Sequence, residues 1–539
     1  MEQPSRDRRS GRIYMKKRCK QTGLALAVFL SLHAGQMEPA YMMEAPEETA
    51  VLPTAGFAKQ EVKISGNAKI ATEQLQAAVG KAEGAEAREK IMKAYAAAGY
   101  NLVDVTVSEE AGSLVAQITE KRLNKVFVEG NKQSSEQDIR QMLPALKEGN
   151  VPNVRYLSCQ VMLANDSGFR LLSVDFRPSG ADEVDAYVTV KEADSVKYIT
   201  SVDNTGDGYT GKIRTNLTLV DGNVGGKGHT AVVSYTTSPD HTNDVKQVGF
   251  YYNIPLPQAN DNLYLTASYS DVNSGRIIDQ GSYSLDASGK GSSVGLHYIH
   301  NLERSEANKE SVDFGIDMRK YDSDTIFSVA GYPVDIGVDI TSMPLSLTYQ
   351  KSTKTADTVA SYSLGFVHNL PGGGENDTAQ YEQYRAGTNA NYQLLRGSAN
   401  YQHMFRSGWL ANVSVSGQYT GERLIYPEQF GLGGAHSLRG MNERDVAGDN
   451  GIQGSFELYT PEIAKGQRLV GFFDVGRFWN VDPLPGDLLG DTAATVGLGW
   501  RYHDANGYHF VADWGYVLNG TLNTPDHSSK FHFLASKVY

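Results

Sequence analysis

The pattern of apolar and polar residues changes near residue 195. Beyond that point the two kinds alternate with a period of two, as in residues 312–318 and 411–419. Alternation over ~9–11 residues is typical of a strand with one face in lipid and the other in water. Clusters of Asn, Asp, Gly and Ser separate these runs and mark turns. The C-terminal part of the chain is therefore predicted to be all-β.

Residues 59–194 combine strand and helix patterns instead, and one unit occurs twice. The motif V-x-[I/V]-x-G-N starts at Val62 and again at Val126. In each copy a short alternating strand ends at the Gly-Asn turn, helical spacing follows, and alternating strands close the copy. Ser135-x-x-Asp138 resembles a capping box ahead of a helix in the second copy. Each copy is predicted to be strand, helix, helix, strand, strand.

The first 35 residues have the layout of a secretory signal. Eight basic residues precede an apolar stretch of ten residues, Gly23 to Leu32, which is too short to span a bilayer. A short buried helix is the alternative, but such a helix would not need the basic residues in front of it. Residues 1–35 are therefore predicted to be a signal peptide, and residues 36–58 a linker.

Composition narrows the class of protein. The chain has 50 Lys and Arg against 62 Asp and Glu, a formal net charge of −12, which argues against a nucleic-acid partner because the phosphates would repel it. Two cysteines, one of them in the predicted signal peptide, exclude a disulfide scaffold. No run of ~18–20 apolar residues occurs, which excludes a bundle of transmembrane helices. A soluble β protein and a membrane barrel remain.

The distribution of aromatic residues favours the membrane barrel. All four Trp and 24 of the 30 Tyr follow residue 195, and their amphipathic rings suit the two membrane interfaces. A closed barrel also leaves no strand edge unpaired in lipid. The length of residues 195–539 suits about sixteen antiparallel strands, at roughly 20–22 residues for each strand and its share of loop.

The sequence ends on an alternating aromatic strand. Phe531, Phe533 and Tyr539 share one face, and Tyr539 is the last residue. Outer-membrane proteins typically end this way because assembly machinery reads the final strand. These three residues are predicted to form a C-terminal assembly signal, and Lys537 on the same face is expected to reach toward the headgroups.

The motif F-x-D-x-G at residues 472–476 stands out from the strand background. A period of two places Phe472, Asp474 and Gly476 on one face and Phe473 and Val475 on the other. If the second face meets lipid, Asp474 points into the lumen, where a lone carboxylate needs a cation. Gly476 would leave room for another backbone to come close.

A glycine-rich stretch from Phe430 to Gly440 could supply that cation. Such a loop can fold back inside a barrel, and Arg439 near its end offers a planar fork of donors. Arginine and carboxylate pair in a bidentate way that gives both attraction and fixed orientation. An exposed loop arginine and a solvated strand aspartate are the alternative, and such a pair would contribute under ~1 kcal/mol.

With the paired repeats, these motifs resemble the outer-membrane protein-transport and assembly superfamily. The repeats resemble POTRA (polypeptide-transport-associated) domains. The whole of residues 59–539 more closely resembles two-partner secretion transporters of the haemolysin secretion/activation (TpsB) type. The resemblance implies an α+β pair of tandem POTRA modules, at residues 59–122 and 123–194, followed by an all-β transmembrane barrel at residues 195–539.

The resemblance also implies a contact between the conserved arginine of the sixth extracellular loop and the aspartate of the strand motif. We therefore predict that Arg439 pairs with Asp474, with Gly440, Phe472 and Gly476 around the contact. The family normally has Phe or Tyr after Arg-Gly, where this chain has Met441. Family members usually carry an N-terminal plug helix, but the three prolines of residues 36–58 argue against one here.

The function that the resemblance implies is export of an unfolded partner exoprotein across the outer membrane. The POTRA units would bind the exoprotein in the periplasm, by adding a strand to their exposed sheet edges, and the barrel would conduct it once the inner loop moves aside. Outer-membrane lipid and the barrel-assembly machinery are the other expected partners, and the protein is expected to be monomeric.

No motif in the sequence indicates catalysis. There is no H-E-x-x-H, no P-loop and no G-x-S-x-G on a strand-to-helix turn. We therefore expect no enzymatic activity, cofactor or metal. Two other functions stay open: a barrel-assembly insertase of the same superfamily, which would share Arg439 and Asp474, and a passive porin or adhesin, which would leave the paired repeats without a purpose.

Overall fold

The computed structural model describes residues 60–110, 113–279, 283–329 and 332–539. The predicted signal peptide, the linker and the question of a plug helix lie outside these residues. Within the described ranges, no helix has both the length and the apolar character needed to span a bilayer.

The first N-terminal unit is a four-stranded sheet covered on one face by two helices. The strands follow the order β2-β1-β4-β3, with β1 parallel to β4. Apolar side chains of both helices and of β4 form its core. The elements are β1 (Gln60–Ser65), α1 (Thr72–Val79), β2 (Lys81–Ala82), α2 (Gly84–Ala97), β3 (Val103–Glu110) and β4 (Ser113–Glu120).

The second unit repeats this plan with a three-stranded sheet in the order β5-β7-β6. The predicted capping box forms, since Ser135 and Asp138 each bond the other's backbone N–H at the start of α3. The predicted order of elements is confirmed in both units, with the two-residue strand β2 added in the first. The elements are β5 (Arg122–Glu129), α3 (Glu136–Met142), α4 (Val154–Asn165), β6 (Arg170–Pro178) and β7 (Glu183–Glu192).

The Gly-Asn turn that marks both repeats has one structural cause. Gly66 and Gly130 have φ angles of +84° and +86°, which side chains other than glycine rarely adopt. A Cβ at Gly66 would lie 2.1 Å from the carbonyl oxygen of Ile118, and one at Gly130 would lie 2.4 Å from that of Val190. Only glycine therefore lets the turn pass so close to the last strand of each unit.

The described strands between residues 196 and 538 form a closed barrel. β15, β16 and β17 all pair with β14 and together fill one position, and β27 pairs with β8 to close the ring. The ring therefore has sixteen strands, which confirms the predicted fold class.

The sixteen positions of the ring follow one another along the chain. The first eight positions are β8 (Val196–Asp203), β9 (Arg214–Val224), β10 (His229–Thr237), β11 (Val245–Leu256), β12 (Asp261–Asp279), β13 (Tyr283–Arg304), β14 (Asn308–Val329) and the set β15 (Tyr332–Asp335), β16 (Ile340–Ser342) and β17 (Pro344–Lys354). The last eight are β18 (Thr358–Asn369), β19 (Gln393–Met404), β20 (Leu410–Tyr419), β23 (Asn450–Tyr459), β24 (Gln467–Trp479), β25 (Gly490–His503), β26 (Tyr508–Asn519) and β27 (Ser529–Val538).

Side chains of the barrel strands alternate between the outer surface and the interior, as predicted. On β14, Phe314 and Met318 are 51% and 60% exposed on the outside, whereas Asp313, directly before Phe314, is 7% exposed and faces inward. On β20, Val415 and Tyr419 are exposed outside. An outer apolar surface and a polar interior are what a barrel in lipid requires.

Residues 420–449, between β20 and β23, form the sixth connection at the end of the barrel away from the N-terminal units. We call this segment the sixth loop. It contains a short 3₁₀ helix, Tyr426–Glu428, and the hairpin β21 (Phe430–Leu432) and β22 (Val446–Gly448). Many of its side chains are buried, because the loop folds into the barrel lumen.

The second unit contacts the turns at the near end of the barrel. The Tyr156 hydroxyl donates to the carbonyls of Pro257 and Gln258, in the turn between β11 and β12. Arg304, at the end of β13, forms an ion pair with Asp166. These contacts fix the second unit beside one mouth of the barrel.

Candidate functional site

The strand β24 places the F-x-D-x-G motif on the lumen wall. Phe473 and Val475 are exposed on the outer surface, whereas Phe472 and Asp474 are buried on the inner one. Asp474 has no solvent exposure, so its charge requires compensation from the protein. The strand periodicity thus orients the motif as the sequence predicted.

The structure brings Arg439 of the sixth loop to Asp474. The arginine Nε donates to Asp474 Oδ2 at 2.9 Å, and Nη2 donates to Oδ1 at 2.7 Å. The backbone N–H of Arg439 also donates to Oδ2, at 3.1 Å, and the Ser455 hydroxyl donates to Oδ1, at 2.6 Å. This bidentate pair fixes the direction of the guanidinium as well as its position.

Two further carboxylates that the sequence analysis did not single out complete the site. Glu457 Oε1 accepts from Arg439 Nη1 at 2.6 Å, and Asp513 Oδ2 lies 3.7 Å from the same nitrogen. Arg501 pairs with Asp513 at 2.6 Å. The site therefore contains three carboxylates and two guanidinium groups, drawn from the sixth loop, β23, β24, β25 and β26.

The ring of Phe472 packs against the guanidinium of Arg439. The Arg439 Cζ atom lies 3.5 Å from the centre of the Phe472 ring, within the range of a cation–π contact. A Cβ at Gly497, on β25, would lie 2.2 Å from the Phe472 ring, so glycine there makes space for it. The first residue of the motif therefore has a direct role in holding the arginine.

Gly440 lets the loop backbone touch the wall. Its φ of +102° suits glycine, and a Cβ on it would lie 2.9 Å from the backbone of Gly515 on β26. A Cβ on Gly515 would in turn lie 2.4 Å from the carbonyl carbon of Arg439. The Gly440 N–H donates to His532 Nε2 on β27 at 3.1 Å.

Gly476 makes room for side chains rather than for a backbone, which corrects the sequence expectation. A Cβ there would lie 2.7 Å from Leu432 and 3.0 Å from Leu438, both in the sixth loop. Met441, where the family has an aromatic residue, is buried in the same apolar cluster and fills the loop tip. The buried members of this cluster are Leu432, Leu438, Met441, Val446, Phe478, Ala493 and Val517.

The sixth loop makes a second charged contact with the barrel wall, which the sequence pattern does not indicate. Glu428, which is 1% exposed, accepts from Arg319 on β14 and from Arg396 on β19, at 2.8 and 2.9 Å. Glu428 and its two arginine partners, like Glu457 and Asp513 around Arg439, sit at ordinary polar positions of their strands or loop. Their spacing in the sequence therefore gave no signal that they meet.

At the C-terminus, the side chains of Phe531 on β27 and of Tyr539, directly after β27, are exposed. The Tyr539 N–H donates to the Tyr198 carbonyl on β8 at 2.8 Å. Lys537 Nζ lies 3.7 Å from the ring centre of Tyr508 and donates to the turn before β26. The assembly role of Phe531, Phe533 and Tyr539 stays a prediction.

In the part of the chain that the structure describes, no group of three or more His, Cys, Asp or Glu is placed to hold a metal ion. The chemistry that the site offers is a buried set of ion pairs between a loop and the barrel wall.

Several solved structures share this fold. CdiB from Escherichia coli aligns with a TM-score of 0.77 at 18% sequence identity, over 92% of this chain and 93% of that chain. CdiB from Acinetobacter baumannii aligns with a TM-score of 0.74 at 16% identity, over 95% and 96%. BamA from Haemophilus ducreyi lacking POTRA domains 1–3 aligns less well, with a TM-score of 0.51 at 15% identity, over 90% and 100%.

Sequence comparison gives the family. No curated protein sequence matches the chain. The family model described as haemolysin secretion/activation protein ShlB/FhaC/HecB matches residues 182–502, which is more than half of the chain. The chain belongs to the haemolysin secretion/activation (ShlB/FhaC/HecB) family, the outer-membrane β-barrel transporters of two-partner secretion.

Proposed function

We propose that this transporter takes up its unfolded exoprotein in the periplasm through two POTRA domains, residues 59–122 and 123–194, and passes it outward through the barrel of residues 195–539. The observation that carries the proposal is a barrel whose lumen is crossed by a loop bound through Arg439, with two α+β units attached at one mouth. A periplasmic position of these units places the sixth loop at the outer end.

The two units offer sheet edges to an extended peptide. β3 lies at the edge of the first sheet, and β5 and β6 lie at the edges of the second. Beside β3, a groove against α2 is lined by the apolar residues Met92, Val103, Val107 and Leu114. An unfolded exoprotein could add a strand at such an edge and bury alternate side chains in the groove.

The contact of Arg439 with Asp474 supports a role in holding the sixth loop inside the barrel. A loop held by buried ion pairs keeps one conformation until the pairs are broken, and removal of one partner of a buried pair costs about 3–5 kcal/mol. Outer-membrane lipid meets the apolar outer surface, and the barrel-assembly machinery would insert the chain as a monomer.

A secretion assay in cells tests this function. The chain is expressed with a candidate exoprotein, and the exoprotein is measured in the medium and in the periplasm. We expect Arg439→Ala to abolish secretion while the barrel stays in the outer membrane, because Asp474 and Glu457 lose their shared cation. Arg477→Ala, an exposed arginine on the same strand as Asp474, is the matched control and should secrete normally.

Unaltered secretion by Arg439→Ala would contradict the proposed role of the site. Deletion of the gene separates the alternatives. Loss of one secreted protein supports the transporter, general loss of outer-membrane proteins points to an insertase, and no change in either points to a passive barrel.

A further inference from the structure

Two charged contacts of opposite polarity join the sixth loop to strands of the barrel wall, besides the ion pairs that its Arg423 and Asp449 form with Asp487 and Arg385 of neighbouring loops. At the first, the loop supplies the cation, Arg439, and the wall supplies carboxylates. At the second, the loop supplies the anion, Glu428, and the wall supplies Arg319 and Arg396. We call the second contact the Glu428 anchor.

The two contacts use different strands of the barrel wall. Arg319 on β14 lies six positions from Asp474 on β24 in the ring of sixteen strands. Arg396 on β19 lies two positions from Glu457 on β23. The Glu428 anchor therefore holds the loop to the part of the wall from β14 to β19, and Arg439 holds it to the part that begins at β23.

The first contact combines several interactions and is shielded from water. The guanidinium is bidentate to Asp474 and stacked on Phe472, and the loop backbone is in contact with Gly515, where no Cβ would fit. The arginine side chain is only 6% exposed, so water cannot compete well for its donors.

The Glu428 anchor is more accessible to water than the first contact. The Glu428 carboxylate is buried, but the side chains of Arg319 and Arg396 are 25% and 42% exposed, so water in the lumen reaches both cations. Arg319 also pairs with Asp317 at 2.8 Å. If Glu428 leaves, Arg319 therefore keeps a carboxylate partner and Arg396 becomes solvated, which limits the cost of opening.

We propose that Glu428 is a positioning residue of the pore. Its ion pairs with Arg319 and Arg396 hold the first half of the sixth loop across the lumen. Their release, with Arg439 still bound, opens a passage along the wall from β14 to β19. This inference rests on the proposed function, in which the exoprotein passes through the barrel.

Conductance of the full-length protein in planar lipid bilayers tests the inference without any exoprotein. We expect Glu428→Gln to raise the ratio of open to closed time about tenfold or more, since the variant loses the charge of a buried pair. Arg396→Gln should also raise the ratio of open to closed time. The double variant should raise this ratio by no more than about the larger of the two single effects, because both substitutions act on one contact.

Glu443→Gln is the matched control. Glu443 lies in the same loop, but its carboxylate accepts from the loop's own Ala435 N–H and not from a wall arginine. Heat-modifiable migration on a gel shows that each variant forms a folded barrel. Wild-type conductance in a folded Glu428→Gln protein would overturn the proposal, and so would equal opening by Glu443→Gln.

The experiment separates this inference from the proposed function. If Glu428→Gln opens the pore but the wild-type chain secretes no exoprotein, the role of the Glu428 anchor is supported and the proposed function is contradicted. If Arg439→Ala stops secretion and Glu428→Gln conducts like the wild type, the anchor alone fails.

Discussion

At the residue scale, the position of Arg439 depends on two glycines as much as on its carboxylate partners. Gly440 and Gly515 let two backbones meet at a distance that no Cβ would permit. This approach brings the Arg439 N–H, as well as its side chain, to Asp474. Charge therefore attracts the loop tip, and the absence of a side chain at Gly440 and Gly515 lets the tip come close enough to bind Asp474.

A substitution at Gly515 tests this point. A Cβ there would lie 2.4 Å from Arg439, so Gly515→Ala should displace the loop tip at a cost of about 1–3 kcal/mol. We expect weakened secretion with the barrel still in the membrane, measured as for Arg439→Ala. Gly454→Ala is the control, since its Cβ would meet nothing nearer than 3.5 Å. Normal secretion by Gly515→Ala would show that the close approach is not needed.

At the element scale, each N-terminal unit uses a glutamate to bind the turn that follows its first strand. Glu120 accepts from the N–H groups of Ala68 and Lys69, at 2.8 and 2.7 Å. Glu192 does the same in the second unit, for the N–H groups of residues 132, 133 and 134. The repeated Gly-Asn turn is thus fixed by the end of the last strand in both copies.

The pKa of Glu192 reflects this binding. Burial alone would raise the pKa, but the hydrogen bonds from Gln133, Ser134 and Lys132 outweigh burial and lower the pKa below its ordinary value of 4.5. A group whose pKa is lower in the folded state stabilises the fold above its unfolded pKa. That contribution is lost as the pH falls through the folded pKa.

Glu192→Gln should therefore loosen the turn at neutral pH. We expect the free energy of local opening to fall by about 1–2 kcal/mol, because the lost hydrogen bonds are charged but the carboxylate is partly exposed. Hydrogen exchange of residues 132–134 in the full-length protein measures this change at pH 7. The difference from the wild type should shrink as the pH falls below 4.5 toward the lower pKa of the folded carboxylate.

Glu183→Gln, at the other end of β7, is the control and should leave the exchange of these amides unchanged. Equal exchange in Glu192→Gln and the wild type at pH 7 would contradict the role of Glu192 in the turn.

At the scale of the whole molecule, the seam that closes the barrel is short. β27 and β8 form five residue pairs, whereas β8 and β9 form eight and β26 and β27 form nine. Tyr539 extends the seam by two backbone hydrogen bonds with Tyr198, at 2.8 and 3.4 Å. The last residue therefore contributes directly to closure of the ring.

Deletion of Tyr539 should weaken this seam. Loss of two backbone hydrogen bonds is expected to cost about 1–3 kcal/mol and to lower the temperature at which the barrel unfolds, read from heat-modifiable migration on a gel. Tyr539→Ala keeps the backbone bonds and should unfold close to the wild-type temperature. If the deletion unfolds no earlier than Tyr539→Ala, closure does not depend on these bonds.

The sequence by itself determined that an α+β part precedes an all-β part, and it predicted the contact of Arg439 with Asp474. The period of two in the strands decides which residues face lipid, and the repeated glycines of the N-terminal units mark their turns. Asp474 could be predicted to face the lumen from its neighbours Phe473 and Val475 alone. Arg439 then followed from the chemistry that a buried carboxylate requires, together with the family resemblance.

Only the tertiary structure decided which residues meet across the lumen. Glu428 and Arg319 lie 109 residues apart, on a loop and a strand whose meeting depends on barrel closure and on the path of the loop. Periodicity gives the face on which a side chain lies, but it carries no information about the distance between two faces. The Glu428 anchor, like Glu457 and Asp513 around Arg439, therefore becomes visible only when the ring is closed.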